Sequence, residues 1–396
     1  IGALVAEQKC KKVLIHYGSG SVQKSGLLDR IKKSLDEICH SLTLELPVSQ
    51  KGLLKVHDTI EVRFYNKYIT SNDGNLRVTT VRIDEITDTT EAGQKYITVL
   101  GRSPARDIID SSWSGRAESA TLLNVAKAIA QKFDIVVQHL PRDVDYTETI
   151  PAIEWNCESP WTKLLNAADN QGYVLTSNEA GNLYLTKSGR DAECWNFILA
   201  EGMNIKSVET TESGAEQFHE YVVVSNSLEG RAVDSQCKNH RILTLNLTDF
   251  QLDQEKATRR AQIELYRRRK VTTKVTVSGW GLTDEQIKSF GDTKEKELFF
   301  NPNFLIPVYI PYAGLDAKMM ISEVEYRADP HTFDCTVSLV NPEVYMGKEG
   351  TVYTTQKTKK PKREKEQSIL EQVRDRQGIT SIEVKKSIFE REAGTK

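Results

Sequence analysis

Residues 264–280 read ELYRRRKVTTKVTVSGW. Four basic residues in a row, Arg267, Arg268, Arg269 and Lys270, run into an alternating Val/Thr segment. Two readings compete. In one, the run grips the phosphates of a nucleic acid. In the other, a helix ends there and a strand begins. Upstream, Ala257, Ala261 and Leu265 share one stripe, which predicts a helix over residues 253–269. The arginines then fall in its last turn, where positive charge complements the helix dipole and covers the final carbonyls. Downstream, Val271, Thr273, Val275 and Val277 face one way, and Thr272, Lys274, Thr276 and Ser278 the other. That alternation predicts a barrel strand with one buried face. Gly279 allows a bend, and Trp280 caps the barrel end. The stretch reads as a helix-to-strand joint. Its four basic residues stay candidates for channel or partner contacts, because so dense a cluster is costly unless something faces it.

The whole chain sets bounds on the alternatives. Its 396 residues suffice for two or three domains. With 53 basic against 55 acidic residues the net charge is -2, whereas a dedicated nucleic-acid binder usually carries a basic excess. The apolar share of 39% and the charged share of 27% predict a soluble globular protein. Six cysteines lie far apart with no Cys-x-x-Cys spacing, which suits buried reduced thiols better than a disulfide framework or a zinc site. Residues 1–12 lack a signal-peptide pattern, and no run approaches a membrane helix, so no membrane insertion is expected. Ile1 in first place implies a few further residues ahead of it.

The first hundred residues predict short strands. Val13–Tyr17 is one, and Leu42, Leu44 and Leu46 alternate with polar residues in another. Residues 58–68, 76–86 and 95–100 follow, with a turn signal at Ser71–Asn75. After Gly101 the pattern becomes helical. Ser119 is a candidate cap for a helix carrying Leu122, Val125, Ala126, Ile129 and Phe133. Ser159-Pro160 opens a second helix that Gly172 ends. Residues 173–176 and 183–186 predict a hairpin. Strands return at 206–211 and 219–226, expected to pair with each other, and 227–240 reads as a polar loop. Further strands are expected at 304–312, 319–327 and 332–340, with a charged insertion at 284–300. The domain boundaries expected are 1–101, a first β-barrel; 102–203, an α+β domain; 204–346, a second β-barrel with inserted loops and a helix; and 347–396, a basic tail or docking arm. In that arm Ile369, Leu370, Val373, Ile379 and Ile382 are apolar residues that a free tail has little reason to carry.

No catalytic arrangement stands out. The seven histidines show no paired ligand spacing, so no metal is expected. Gly18-Ser-Gly-Ser21 lacks the rest of a dinucleotide or phosphate-loop fingerprint and reads as a turn. There is no Gly-x-Ser-x-Gly elbow. The expectation is a protein that is not an enzyme and carries no cofactor. Five tryptophans read as core packing rather than stacking platforms.

The order of segments carries a resemblance. Tyr96–Arg102 with Asp107–Asp110, then Leu122–Ala130, Trp161–Leu185, Ala257–Trp280 and Phe304–Tyr345 are similar to the Mu-like tail hub (tail protein P) family, the baseplate hubs of contractile-tailed phages. The resemblance spans about 10–345 and rests on combined order, not on one diagnostic motif. It implies a mainly β fold with an α+β insertion: two small antiparallel β-barrels per chain plus an α+β domain, assembling as a trimeric ring. The implied role is a structural baseplate hub in the virion, assembled in the host cytoplasm. A trimer of two-barrel chains would adapt a three-fold central spike protein to the six-fold tail tube protein and start tube assembly. Implied partners are itself as a homotrimer, the spike, the tube, baseplate wedge proteins and the tape-measure protein. Three alternatives stay open: a nucleic-acid-binding protein using Arg267–Lys270 and the basic tail, a tail-associated cell-wall hydrolase, and a type VI spike-hub relative.

Overall fold

The computed structural model describes residues 12–17, 28–34, 38–69, 75–91, 93–139, 148–188, 192–193, 197–283, 286–287, 298–329 and 331–345. The Gly18–Ser21 and Ser71–Asn75 turns lie wholly or almost wholly outside these residues, as does most of the 284–300 insertion. So does the tail, with Ile369, Leu370, Val373, Ile379 and Ile382.

The chain opens with six strands: β1 (Lys12–Tyr17), β2 (Leu28–Ser34), β3 (Ser41–Pro47), β4 (Thr59–Tyr65), β5 (Asn75–Glu91) and β6 (Gln94–Arg102). Burial alternates strictly along β3, so Leu42, Leu44 and Leu46 point inward, as their spacing predicts. Helix α1 (Arg106–Asp110) then leads to β7 (Trp113–Ala117) and β8 (Ala120–Thr121). Helix α2 (Leu122–Ala130) buries Leu122, Val125, Ala126 and Ile129. Its cap is Thr121, whose side chain accepts from the Asn124 amide. Ser119, the expected cap, instead donates to the Ile150 carbonyl at 2.9 Å. Strands β9 (Val137–His139), β10 (Thr149–Ile150) and β11 (Ile153–Glu158) precede α3 (Trp161–Asn170). The Ser-Pro signal marks this helix start, but Pro160 is the cap in place of the expected Ser159, whose Oγ accepts from the Trp161 amide at 3.2 Å. The expected hairpin forms from β12 (Val174–Ser177) and β13 (Leu183–Thr186).

Two short strands, β14 (Ala192–Glu193) and β15 (Leu199–Ala200), lead into β16 (Ile205–Glu212). Three strands, β17 (Glu220–Ser225), β18 (Leu228–Val233) and β19 (Ile242–Asn246), form their own small sheet. Two expectations are corrected here. Residues 206–211 do not pair with 219–226, because β16 pairs with residues 271–277. The 227–240 segment is not a plain loop, since β18 lies within it. Helix α4 (Gln254–Arg268) follows, with Asp253 as its cap. It lies against β18 so closely that a Cβ on Gly230 would sit 2.1 Å from the Ala257 carbonyl carbon. Only glycine fits that contact. The chain finishes with β20 (Val271–Ser278), β21 (Phe304–Ile310), β22 (Leu315–Ala328) and β23 (Phe333–Val340). Gly279 leaves β20 at φ +81°, the bend its sequence position suggests.

The topology departs from two separate barrels. Strands from both ends of the chain lie in one 13-stranded sheet whose main path is β1-β4-β5-β6-β3-β2-β22-β23-β20-β16. Strand β2 gives one edge to β3 and the other to β22, so it fuses the two lobes. Among the described residues neither lobe closes on itself, because the strand that would end the first lobe is spent on the second. Packing agrees. One core cluster runs from Ile31, Leu44 and Val99 through Trp280 to Val337 and Leu339. Trp280 is buried, stacks on Phe333 with centroids 5.0 Å apart and donates from Nε1 to the Arg327 carbonyl. A second core holds α2, α3 and α4 residues with Trp155, Tyr221 and Val223. Buried polar groups tie the sheet to the α/β segment: Ser177 Oγ donates to the Ile38 carbonyl and lies 3.3 Å from Ser103 Oγ, while within the sheet His40 meets Thr79 Oγ1 at 3.1 Å. Among the described residues no helix is long and apolar enough to cross a membrane.

Candidate functional site

The eight neighbouring strands β5, β6, β3, β2, β22, β23, β20 and β16 form a sheet with two unlike faces. One face is the core just described. The other is largely polar, with Leu100 exposed among its side chains. A single register row crosses all eight strands: Arg82, Arg102, Ser41, Lys32, Glu325, Thr336, Thr276 and Ser207. Every residue of that row is half-buried or exposed. A neighbouring row holds Glu323, Ser338, Lys274 and Glu209. The alternation that buries Leu42 and Val275 places these hydroxyls and charges on the opposite side.

At the β5–β6 end Arg82 and Arg102 of this face pair with Asp107 and Asp110 of α1, and further along charges pair across strands. Arg30 Nε lies 3.2 Å from Glu325 Oε1, and Lys32 Nζ lies 3.1 Å from Glu323 Oε2. These two ion pairs sit on the β2–β22 junction and staple the lobes together. Lys206 pairs with Asp334, and the Thr276 and Thr336 hydroxyls meet at 3.2 Å. Strand β16, at one end of the sheet path, carries mostly Thr, Ser and Glu. A surface of this kind offers many shallow polar contacts.

The basic run lies elsewhere, and acids meet its arginines. Arg267 sends a fork to Asp169, with Nη1 at 2.7 Å and Nη2 at 2.5 Å. Its guanidinium lies 5.5 Å from the Tyr345 ring centroid. Burial by itself would lower the Arg267 pKa, but the Asp169 carboxylate outweighs it and the pKa is raised. Asp169 also accepts from Arg260 Nη2 at 3.3 Å, and Arg260 Nη1 donates to Glu264 at 2.5 Å. Asp169 and Arg260 are each about 4% exposed, so this network is an internal one joining α3 and α4. Arg268 bonds Glu264 at 3.4 Å and approaches Glu216 at 3.6 Å. Arg269 lies 3.7 Å from the buried Asp234. Lys270 and Arg269 line a groove of about 580 Å³ beside β16. The helix end and the strand are therefore where the sequence puts them, with Asp169 as the counter-charge it does not reveal. Glu264 was legible, standing four residues from both Arg260 and Arg268.

No protein-family model matches the chain, and no curated protein does. Solved structures do. The 43 kDa tail protein of prophage MuSo2 from Shewanella oneidensis overlays with a TM-score of 0.61 at 22% identity, covering 81% of this chain and 95% of that one. The tail protein from Neisseria meningitidis overlays with a TM-score of 0.61 at 16% identity, covering 81% of this chain and 93% of that one. The fold, one fused sheet with an α/β core, is thus shared with these two tail proteins.

Proposed function

We propose that this protein is a structural component of a phage tail, and within it the baseplate hub: a homotrimeric ring around an axial channel. The polar register row across eight strands carries this reading. Strands lie about 4.8 Å apart, so eight of them span roughly 38 Å of wall, and three copies roughly 115 Å of perimeter. Tilting the strands by about 40° widens that ring to a backbone diameter of roughly 48 Å, enough after side chains to pass a protein segment or a nucleic-acid duplex. Such a wall needs a dry side to hold its shape and a wet, charge-balanced side to face the passage. The balanced pairs Arg30–Glu325 and Lys32–Glu323 meet the second need.

Head-to-tail closure of identical subunits is the ring-forming geometry such a hub requires. The tail-protein fold of the Shewanella and Neisseria structures supports placement in the virion, with spike, tube and wedge proteins as neighbours. The nucleic-acid grip is disfavoured by Asp169, Glu264 and Asp234, which already balance the arginines. Mass photometry across a concentration series, followed by electron microscopy of the particles, tests the hub. Trimers with a central hole are expected. A monomer at the highest soluble concentration, with no ring in the images, refutes it. Steeply salt-dependent binding to random DNA would favour the nucleic-acid reading instead.

A further inference from the structure

The groove beside β16 has an apolar floor of Val271, Leu315, Met319 and Val344, with Arg269 and Lys270 on its rim. Val271 is 42% exposed. Tyr345, one residue after the lining residue Val344, is the last residue described, so the described chain ends beside this groove. That remaining chain is 346–396, and it carries Ile369, Leu370 and Val373 at helical spacing. Glu366 continues the same stripe one turn earlier. Three apolar side chains on one helical stripe match the apolar floor, whose lining also includes Glu212.

We propose that this groove seats the chain's own C-terminal arm, with Ile369, Leu370 and Val373 on the floor. Reach is no obstacle, since the linker of about 24 residues extends to roughly 80 Å. Tethering also favours the arm over free competitors, because a linker of this kind holds its segment at an effective concentration on the order of millimolar. The basic stretch Lys357–Lys365 then acts as the spacer, extended by its own charge repulsion. The proposal concerns one chain and does not depend on ring formation.

The test uses the full chain with Cys10, Cys157 and Cys194 replaced by serine and Val271→Cys as a reporter. Alkylation of that thiol is timed in this protein and in a version also carrying Ile369→Asp, Leu370→Asp and Val373→Asp. At least tenfold faster labelling is expected once the arm is disrupted, and an unchanged rate overturns the proposal. A second version pairs Val271→Cys with Leu370→Cys under oxidising conditions. A cross-link within one chain, identified by peptide mapping, is expected. A cross-link found solely between two chains, or none, overturns the assignment. Either failure leaves the trimer measurement untouched.

Discussion

Replacing Asp169 by alanine is the sharpest probe of how the α/β core is held. Its carboxylate is about 4% exposed and accepts from Arg260 and from both Nη atoms of Arg267. The Nε groups of Arg260 and Arg267 are already buried without hydrogen-bond partners, so the hydrogen bonding of both guanidiniums rests on their Nη atoms. Removing the carboxylate leaves Arg260, equally buried, with Glu264 as its remaining counter-charge. Breaking one side of a buried ion pair costs about 3–5 kcal/mol, most of it the desolvation of the stranded charge. Arg267→Met removes the other side of the fork. Arg267 is 24% exposed and Asp169 keeps Arg260, so this change should cost less, about 1–3 kcal/mol. The double variant should recover part of the loss, giving a coupling energy of about 1–3 kcal/mol. Equilibrium urea unfolding followed by fluorescence reads the transition, because Trp113, Trp155 and Trp161 all pack in this core. An Asp169→Ala variant within about 1 kcal/mol of the parent, or an Arg267→Met variant that costs more than Asp169→Ala, would refute the reasoning.

Three further outcomes are expected. Gly230→Ala should destabilise by about 3 kcal/mol, since its methyl would press on the α4 backbone rather than on a movable side chain; a thermal melt that stays in place contradicts that contact. Glu323→Lys with Glu325→Lys should cost about 1–2 kcal/mol at low salt, and adding Arg30→Glu with Lys32→Glu should restore most of it; failure of the swap to rescue removes the ion-pair staple. His40 is held well below its ordinary pKa by burial and by the Lys33 charge, so it folds neutral. The unfolded chain takes up the proton near pH ~6.5, so this contribution is complete above that pH and is lost as pH falls through it. Melting temperatures at pH 7.5, 6.5 and 5.5 should drop more steeply for the parent than for His40→Gln, and parallel slopes would count against His40 as the source.

What the sequence reveals follows from how local each feature is. Strand β3, helix α4 and the β12–β13 hairpin each announce themselves through spacing and caps within a few residues. Strand β2 does not. Of its seven residues, LDRIKKS, Ile31 is the apolar one at the centre, and its pairing with β22 depends on residues at the far end of the chain. Alternation marks a strand without naming its neighbour, which is why β16 was matched to the wrong segment. Strand β18 hid behind Gly230 and its charges, features that a loop shares and that only the approach of α4 explains. The polar wall shows the same split. Each strand's outward residues were readable one by one, whereas the row from Arg82 to Ser207 exists only once β2 has joined the two lobes.

Tyr345 has a mechanical meaning. It lies beneath the Arg267 guanidinium, which is forked onto Asp169 in α3. A pull applied to the chain beyond residue 345 therefore reaches α3 and α4 through a stacked ring and a clamped guanidinium, as well as through β23. The load is shared between the helical core and the sheet at the anchor point. A partner tugging on the C-terminal segment would strain the whole body before it could peel the last strand away.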